Sequence, residues 1–149
     1  MKRMGIWILP GLMVLAADRL VKVLTDEVDQ VLIPGVIALR STRNTGMALG
    51  LMQDHPYLIL AASVLLLGLC LWLLRDARPG GLVAASISMI VGGALGNMID
   101  RVAFGYVMDM FELLFMDFYI FNVADVGVVA GAILCGVSLL FRPQDWSKR

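Results

Sequence analysis

One histidine, two cysteines, few charges and no excess of either sign each remove a class of function from this chain. His55 alone does not supply the imidazoles of a zinc site, and it stands in a loop ahead of an apolar stretch. No serine occupies a Gly-x-Ser-x-Gly elbow, and a serine triad would have to recruit that same His55. Cys70 and Cys135 each lie inside an apolar run, so they read as small buried hydrophobes rather than as a metal pair or a disulfide framework. A formal net charge of zero leaves no basic field for nucleic acid. No metal or cofactor is expected, and no obligate protein partner is indicated.

What the chain has in abundance is apolar sequence. Of its 149 residues, 60% are hydrophobic and 16% charged, and the mean hydropathy is +0.85. A soluble domain is nearer half apolar and a quarter charged. The excess lies in blocks, and four stretches approach the roughly 20 residues that a helix needs to cross hydrocarbon. They run from about 4–24, 56–74, 82–102 and 123–141. The expected fold is therefore a polytopic α-helical membrane protein with four transmembrane helices, in a single membrane-embedded domain over 1–149. The first stretch follows Lys2 and Arg3 as a secretory signal would, but Asp18, Arg19 and Lys22 stand where a small-residue cleavage site belongs. It reads as a retained helix.

Orientation follows from the basic residues in the short flanks. Lys2, Arg3, Arg75, Arg78, Arg142, Lys148 and Arg149 fall on one side of four spans, which places both termini in the cytoplasm. The opposite loops, 25–55 and 103–121, carry Asp26, Glu27, Asp29, Asp54, Glu112 and Asp117 against Arg40 and Arg43. In the first of them, β-branched and aliphatic residues surround Pro34-Gly35, and Asn44-Thr45-Gly46 is a second turn signal. This predicts a small extracytoplasmic β-element at about 25–50. The second, with Tyr106, Phe111, Phe115, Phe118, Tyr119 and Phe121, is expected to be an interfacial loop at headgroup level. Gly92, Gly96, Gly127 and Gly131 recur at the four-residue spacing that lets helices pack closely in lipid. Gly93 shares a face with Asn97 and is weighed instead as room for a substrate.

The charges inside the apolar blocks are the informative feature. Under this topology Asp18 and Lys22, then Asn97, Asp100 and Arg101, then Asn122 and Asp125 all lie toward outer helix ends, with Asp109 in the loop between. A charge at the helix centre costs about 2.5–3.5 kcal/mol on insertion scales, so a cluster near one face requires pairing or function to offset it. Asp18 and Lys22 are one turn apart, as are Asn97 and Arg101. With histidine and serine chemistry set aside, paired carboxylates remain. Two aspartates held close do not both ionise, so one keeps a proton while the other serves as base toward a shared water.

Five blocks then carry a resemblance: Asp18-Arg19-Leu20-Val21-Lys22, Asn44-Thr45-Gly46-Met47-Ala48, Gly92 to Arg101, Val107-Met108-Asp109 and Phe121-Asn122-Val123-Ala124-Asp125. In order and spacing the chain resembles the lipoprotein signal peptidase (signal peptidase II) family. The resemblance implies an aspartyl endopeptidase of the bacterial inner membrane, with its active site at the extracytoplasmic face. Its substrate would be a diacylglyceryl-modified prolipoprotein, cut just before the modified cysteine, with membrane lipid around it. The family's catalytic pair falls on Asp109 and Asp125, and its supporting residues on Asp18, Lys22, Asn44, Gly46, Asn97, Asp100, Arg101, Asn122 and Ala124. Arg101 and Asn97 are expected on substrate carbonyls, and Asn44 and Gly46 over the site. Leu49 and Met110 stand where the family usually has Phe, suggesting two rings lost at a substrate rim, and Arg19 stands where Gln is common. A proton- or cation-coupled transporter, and a non-catalytic four-helix scaffold or inactive family member acting as a binder, are the rival readings. The acids' position toward one face and the absence of internal repeats weigh against the transporter.

Overall fold

A computed structural model of the chain describes residues 4–46, 52–76 and 79–146. Leu49 and the basic residues Lys2, Arg3, Arg78, Lys148 and Arg149 lie outside the described residues. The elements run α1 (Met4–Thr25), β1 (Asp29–Ile33), β2 (Ile37–Asn44), α2 (Pro56–Leu74), α3 (Gly81–Phe104), β3 (Val107–Leu113) and α4 (Val123–Phe141), with a short 3₁₀ turn at Pro143–Trp146. The expected bounds hold for α2 and α4, while α3 begins one residue earlier and ends two later.

Helices α2, α3 and α4 are each long and apolar enough to cross a membrane. At 22 residues α1 matches them in length, and it differs in carrying Asp18, Arg19 and Lys22 in its last third. The chain is a membrane protein, and α2 shows why. It is apolar all round, Ile59 is its one buried residue, and Leu65 is 73% exposed. A helix with no polar face and so little cover is at home in lipid.

At the centre, α3 packs on α4 and on α1, and more lightly on α2. Small residues set this packing, because in lipid helices gain by close approach rather than by leaving water. Gly92 meets the backbone of α1 at Gly11, so a Cβ there would fall on the Gly11 carbonyl. The Ser88 hydroxyl fastens the same seam, accepting from the Gly11 amide at 2.9 Å and donating to the Ile8 carbonyl at 3.0 Å. Gly127 faces Val14, and Gly131 faces the Ser86 carbonyl. Gly93 abuts the Ala124 carbonyl of α4. The space weighed for substrate is filled by helix backbone.

Between α1 and α2 the chain forms the expected hairpin, β1 pairing antiparallel with β2. Pro34 and Gly35 turn it: proline presets φ at the first corner, and Gly35 takes φ 72° at the second. The second outer segment departs from the expectation of an interfacial loop. Its residues Val107–Leu113 form a third strand, antiparallel to β2, in a sheet of order β1-β2-β3. The register runs Ile37↔Leu113 to Leu39↔Phe111, slips, and resumes as Thr42↔Asp109, Arg43↔Met108 and Asn44↔Val107. Asp109 is therefore fixed on a strand. After β3 the chain returns at Phe121, which bridges Phe111 and leads into α4.

Candidate active site

The first turn of α4 follows from its sequence. Asn122 is the N-cap, and its side chain accepts from the Asp125 amide at 2.9 Å, while Asp125 Oδ2 accepts from the Asn122 amide at 3.2 Å. This reciprocal capping box satisfies two helix-end N–H groups and fixes both side chains. It also sets the Asp125 carboxylate at the positive end of the helix dipole.

From that anchor a chain of amides reaches the second acid. Asn122 Nδ2 donates to Asn97 Oδ1 at 3.0 Å and to Asp109 Oδ1 at 2.6 Å. Asn97 Nδ2 donates to Asp125 Oδ1 at 2.8 Å. Asn44, two residues beyond the partner of Asp109 on β2 and within diagonal reach, donates to Asp109 Oδ2 at 2.8 Å. Each carboxylate thus receives two donors, and residues from α3, α4, β2 and β3 meet at one point. Together with Arg101, Val107, Tyr119, Val128 and Val129, the two acids and Asn44 and Asn97 line a cavity of about 280 Å³.

Asp109 is 3% exposed. Burial pushes its carboxyl up to about 6. The charge of Asp125 pushes the same way, while hydrogen bonds from Asn44 and Asn122 and the charge of Lys22 oppose it. Burial also raises the Tyr119 hydroxyl, helped by the charges of Asp125 and Asp109. Two carboxyls that act on each other this way hold a proton between them more readily than either would alone.

The other residues expected at the site sit close by. Gly46 is held twice: its amide donates to Asn44 Oδ1, and its carbonyl accepts from Arg101 Nη2, both at 3.0 Å. Arg101 Nη1 also donates to the Asn97 carbonyl at 3.4 Å. The side-chain amide of Asn97 joins Asp125 to Asn122. Asp18, Lys22 and Asp100 form a buried ion cluster: Lys22 Nζ lies 3.0 Å from Asp18 and 2.6 Å from Asp100. The Ala124 amide donates to Asp18 Oδ1 at 3.0 Å. Met110, expected at a substrate rim, has no exposed surface. On a strand it points away from the face that carries Asp109.

Sequence reasoning missed two neighbours. Tyr119 stands among the aromatics expected at headgroup level, and it lines the cavity. Arg19 reads from the sequence only as a departure from the family pattern, and it bridges Asp18 and Asp100. The signal for Arg19 is a basic residue beside an acid inside a largely apolar helix, where an unpaired buried charge is costly.

A helical membrane protein with one buried and one half-buried carboxyl on one cavity is the class that fold and site define. The family model described as signal peptidase (SPase) II matches residues 11–141. A lipoprotein signal peptidase of Streptococcus thermophilus is 37% identical over 116 residues, 77% of this chain and 75% of its own length. That of Halothermothrix orenii is 38% identical over 128 residues, covering 83% of this chain and 87% of its own. A solved structure described as a bacterial membrane enzyme aligns with a TM-score of 0.83 at 29% identity, over 97% of this chain and 93% of that one. The chain belongs to the signal peptidase II family, whose members are proteases.

Proposed function

We propose that this protein removes the signal peptide from bacterial prolipoproteins, cutting N-terminal to the diacylglyceryl-modified cysteine with a water activated between Asp109 and Asp125. The observation that carries this reading is the Asn122 side chain, which donates to Asp109 and accepts from the Asp125 amide, so that it ties together two acids lining one cavity. Lipoprotein signal peptidases of two bacteria share more than a third of their aligned residues with the chain.

In this reading Asp125, favoured as an anion by the helix dipole, takes a proton from the water. The resulting hydroxide bonds to the scissile carbonyl carbon, and Asp109 gives its proton to the carbonyl oxygen. Collapse of the tetrahedral intermediate breaks the C–N bond, the amine leaves with the proton held by Asp125, and Asp109 recovers its own. No metal or covalent intermediate is required. Arg101 lines the cavity with five N–H donors and two carbonyl partners, so further donors remain for a substrate carbonyl. Asn44 and Gly46 close the site from the side of the sheet.

The same reading makes α1 a fourth spanning helix, whose charges at its outer end are offset within the cluster of Asp18, Lys22 and Asp100. The whole chain is then one membrane-embedded domain with both termini in the cytoplasm and the cavity at the outer face of the inner membrane. Val31, Leu32 and Ile33 of β1, each exposed, rest on the lipid surface.

The test is cleavage in proteoliposomes, followed by mass spectrometry, of one precursor with and without diacylglyceryl modification. The proposal expects a single cut before the cysteine of the modified form. Equal cleavage of both forms, or a cut elsewhere, would overturn it.

A further inference from the structure

Beside the dyad lies a group of four charges, none of which lines the cavity. Arg19 Nη2 donates to Asp18 Oδ2 at 2.6 Å, and Arg19 Nη1 donates to Asp100 Oδ1 at 2.6 Å. Lys22 Nζ spans the same two acids. Two acids and two bases close a ring in which every member is bonded to two of opposite charge. Both carboxylates are almost wholly buried, Asp18 at 0% and Asp100 at 1% exposure. Arg19 adds a third bond from Nη2 to the Gly96 carbonyl at 3.0 Å, which fixes the α1–α3 seam at this level.

The two acids also reach outward, and to equivalent places. Asp18 Oδ1 accepts from the amide of Ala124, the residue immediately before Asp125. Asp100 Oδ2 accepts from the amide of Met108, the residue immediately before Asp109, at 3.3 Å. One arm of the ring therefore holds the start of α4, and the other holds β3. Asp18 and Asp100 sit on different helices, and the ring's two cations bridge them.

We propose that Arg19 is a positioning residue for the aspartate pair: by clamping Asp18 to Asp100, it fixes the backbones that carry Asp125 and Asp109 relative to each other. This rests on the dyad reading above and adds a residue to it. Lys22 offers a point charge, whereas the flat guanidinium of Arg19 gives one nitrogen to each acid and so dictates their spacing. With Arg19 removed, Lys22 alone faces two buried carboxylates, and the ring carries an uncompensated negative charge that drives its acids apart. The effect belongs in the chemical step, because none of the four ring residues lines the cavity. Displacing catalytic groups by about 1 Å is enough for a loss on the order of 100-fold.

The experiment measures kcat and KM of the full chain in detergent micelles or proteoliposomes, per folded protein, on a lipid-modified precursor. Arg19→Met, Arg19→Lys and Asp109→Asn are compared with the unaltered protein. Arg19→Met is expected to lower kcat by roughly 10- to 100-fold with KM held within about twofold. Arg19→Lys should recover part of the loss, since it restores charge but only one arm of the bridge. An unchanged kcat in Arg19→Met, a rise in KM equal to the loss of efficiency, or no recovery with lysine would overturn the proposal. Full activity in Asp109→Asn would instead overturn the dyad reading itself, so the two failures are distinguishable.

Discussion

Asn122 donates to Oδ1 of Asp109 at 2.6 Å from a position with no exposed surface. Its second N–H goes to Asn97 and its oxygen accepts from the Asp125 amide, so both donors and the oxygen of this carboxamide are engaged. One side chain thereby joins β3 to the first turn of α4, and its capping duty and its hold on the acid are inseparable.

Asn122→Ala removes the N-cap, costing about 1 kcal/mol, and strips one donor from Asp109. The expected result is a Tm lower by roughly 2–4 °C for each kcal/mol lost, with kcat down at least about tenfold because the acids lose their common tether. Asn122→Asp keeps a capping oxygen but sets a third carboxylate against Asp109, so it should regain stability at low pH while staying inactive. Thermal unfolding and kinetics in detergent check both; an active Asn122→Ala enzyme would contradict the tether.

The raised carboxyl of Asp109 makes stability depend on pH. Its proton is held up to about 6 in the folded protein, against 3.8 for an unperturbed aspartate. Between those values the folded state binds more protons than the unfolded one, so this contribution is complete below 3.8 and is lost as pH rises through about 6. The size is on the order of 3 kcal/mol. Unfolding scans from pH 4 to 7.5 should show a decline in the unaltered protein that is smaller in Asp109→Asn, and equal slopes would contradict the assignment. The same proton predicts that kcat/KM falls as pH rises past about 6.

Two glycines should respond oppositely to alanine. At Gly92 a Cβ strikes the Gly11 backbone, which cannot swing aside. At Gly68, in α2, nothing lies within 4 Å. Gly92→Ala is expected to destabilise by about 1–3 kcal/mol through overpacking. Gly68→Ala should be neutral or stabilise by up to about 1 kcal/mol from helix propensity. Denaturation in mixed micelles measures both.

Tyr119 gives the cavity an aromatic wall. Tyr119→Ala is expected to raise KM by about tenfold, the value of one well-packed ring contact, while Tyr119→Phe keeps most of the binding. Initial rates over a range of precursor concentration separate the two; an unchanged KM in Tyr119→Ala would show that substrate does not lie against this wall.

The membrane helices were legible because apolar length is a local property, and so was the hairpin, since Pro34-Gly35 announces its turn without help from elsewhere. The third strand was not. Val107 to Leu113 alternates only loosely, and the aromatic residues after it drew the whole segment toward a headgroup reading; its pairing with β2 rests on partners about 70 residues earlier in the chain. Met110 went astray for the same reason, because only a strand assignment turns it away from Asp109. Asp18, Lys22 and Asp100 were readable as charges needing partners. That Arg19 is one of those partners was not, because Asp100 lies 81 residues away. The capping box is written locally in Asn122-Val123-Ala124-Asp125, where the acid's place in a paired-carboxylate site masks its second duty at the helix end.

The most direct test is single-turnover cleavage of a diacylglyceryl-modified precursor by Asp109→Asn and Asp125→Asn, each shown by thermal unfolding to be folded. If the two acids act as one unit on one water, each variant loses cleavage to background, and the double variant is no worse than either alone. Substantial turnover by either single variant would mean that its neighbour works without it, and the paired chemistry placed at this cavity would be wrong.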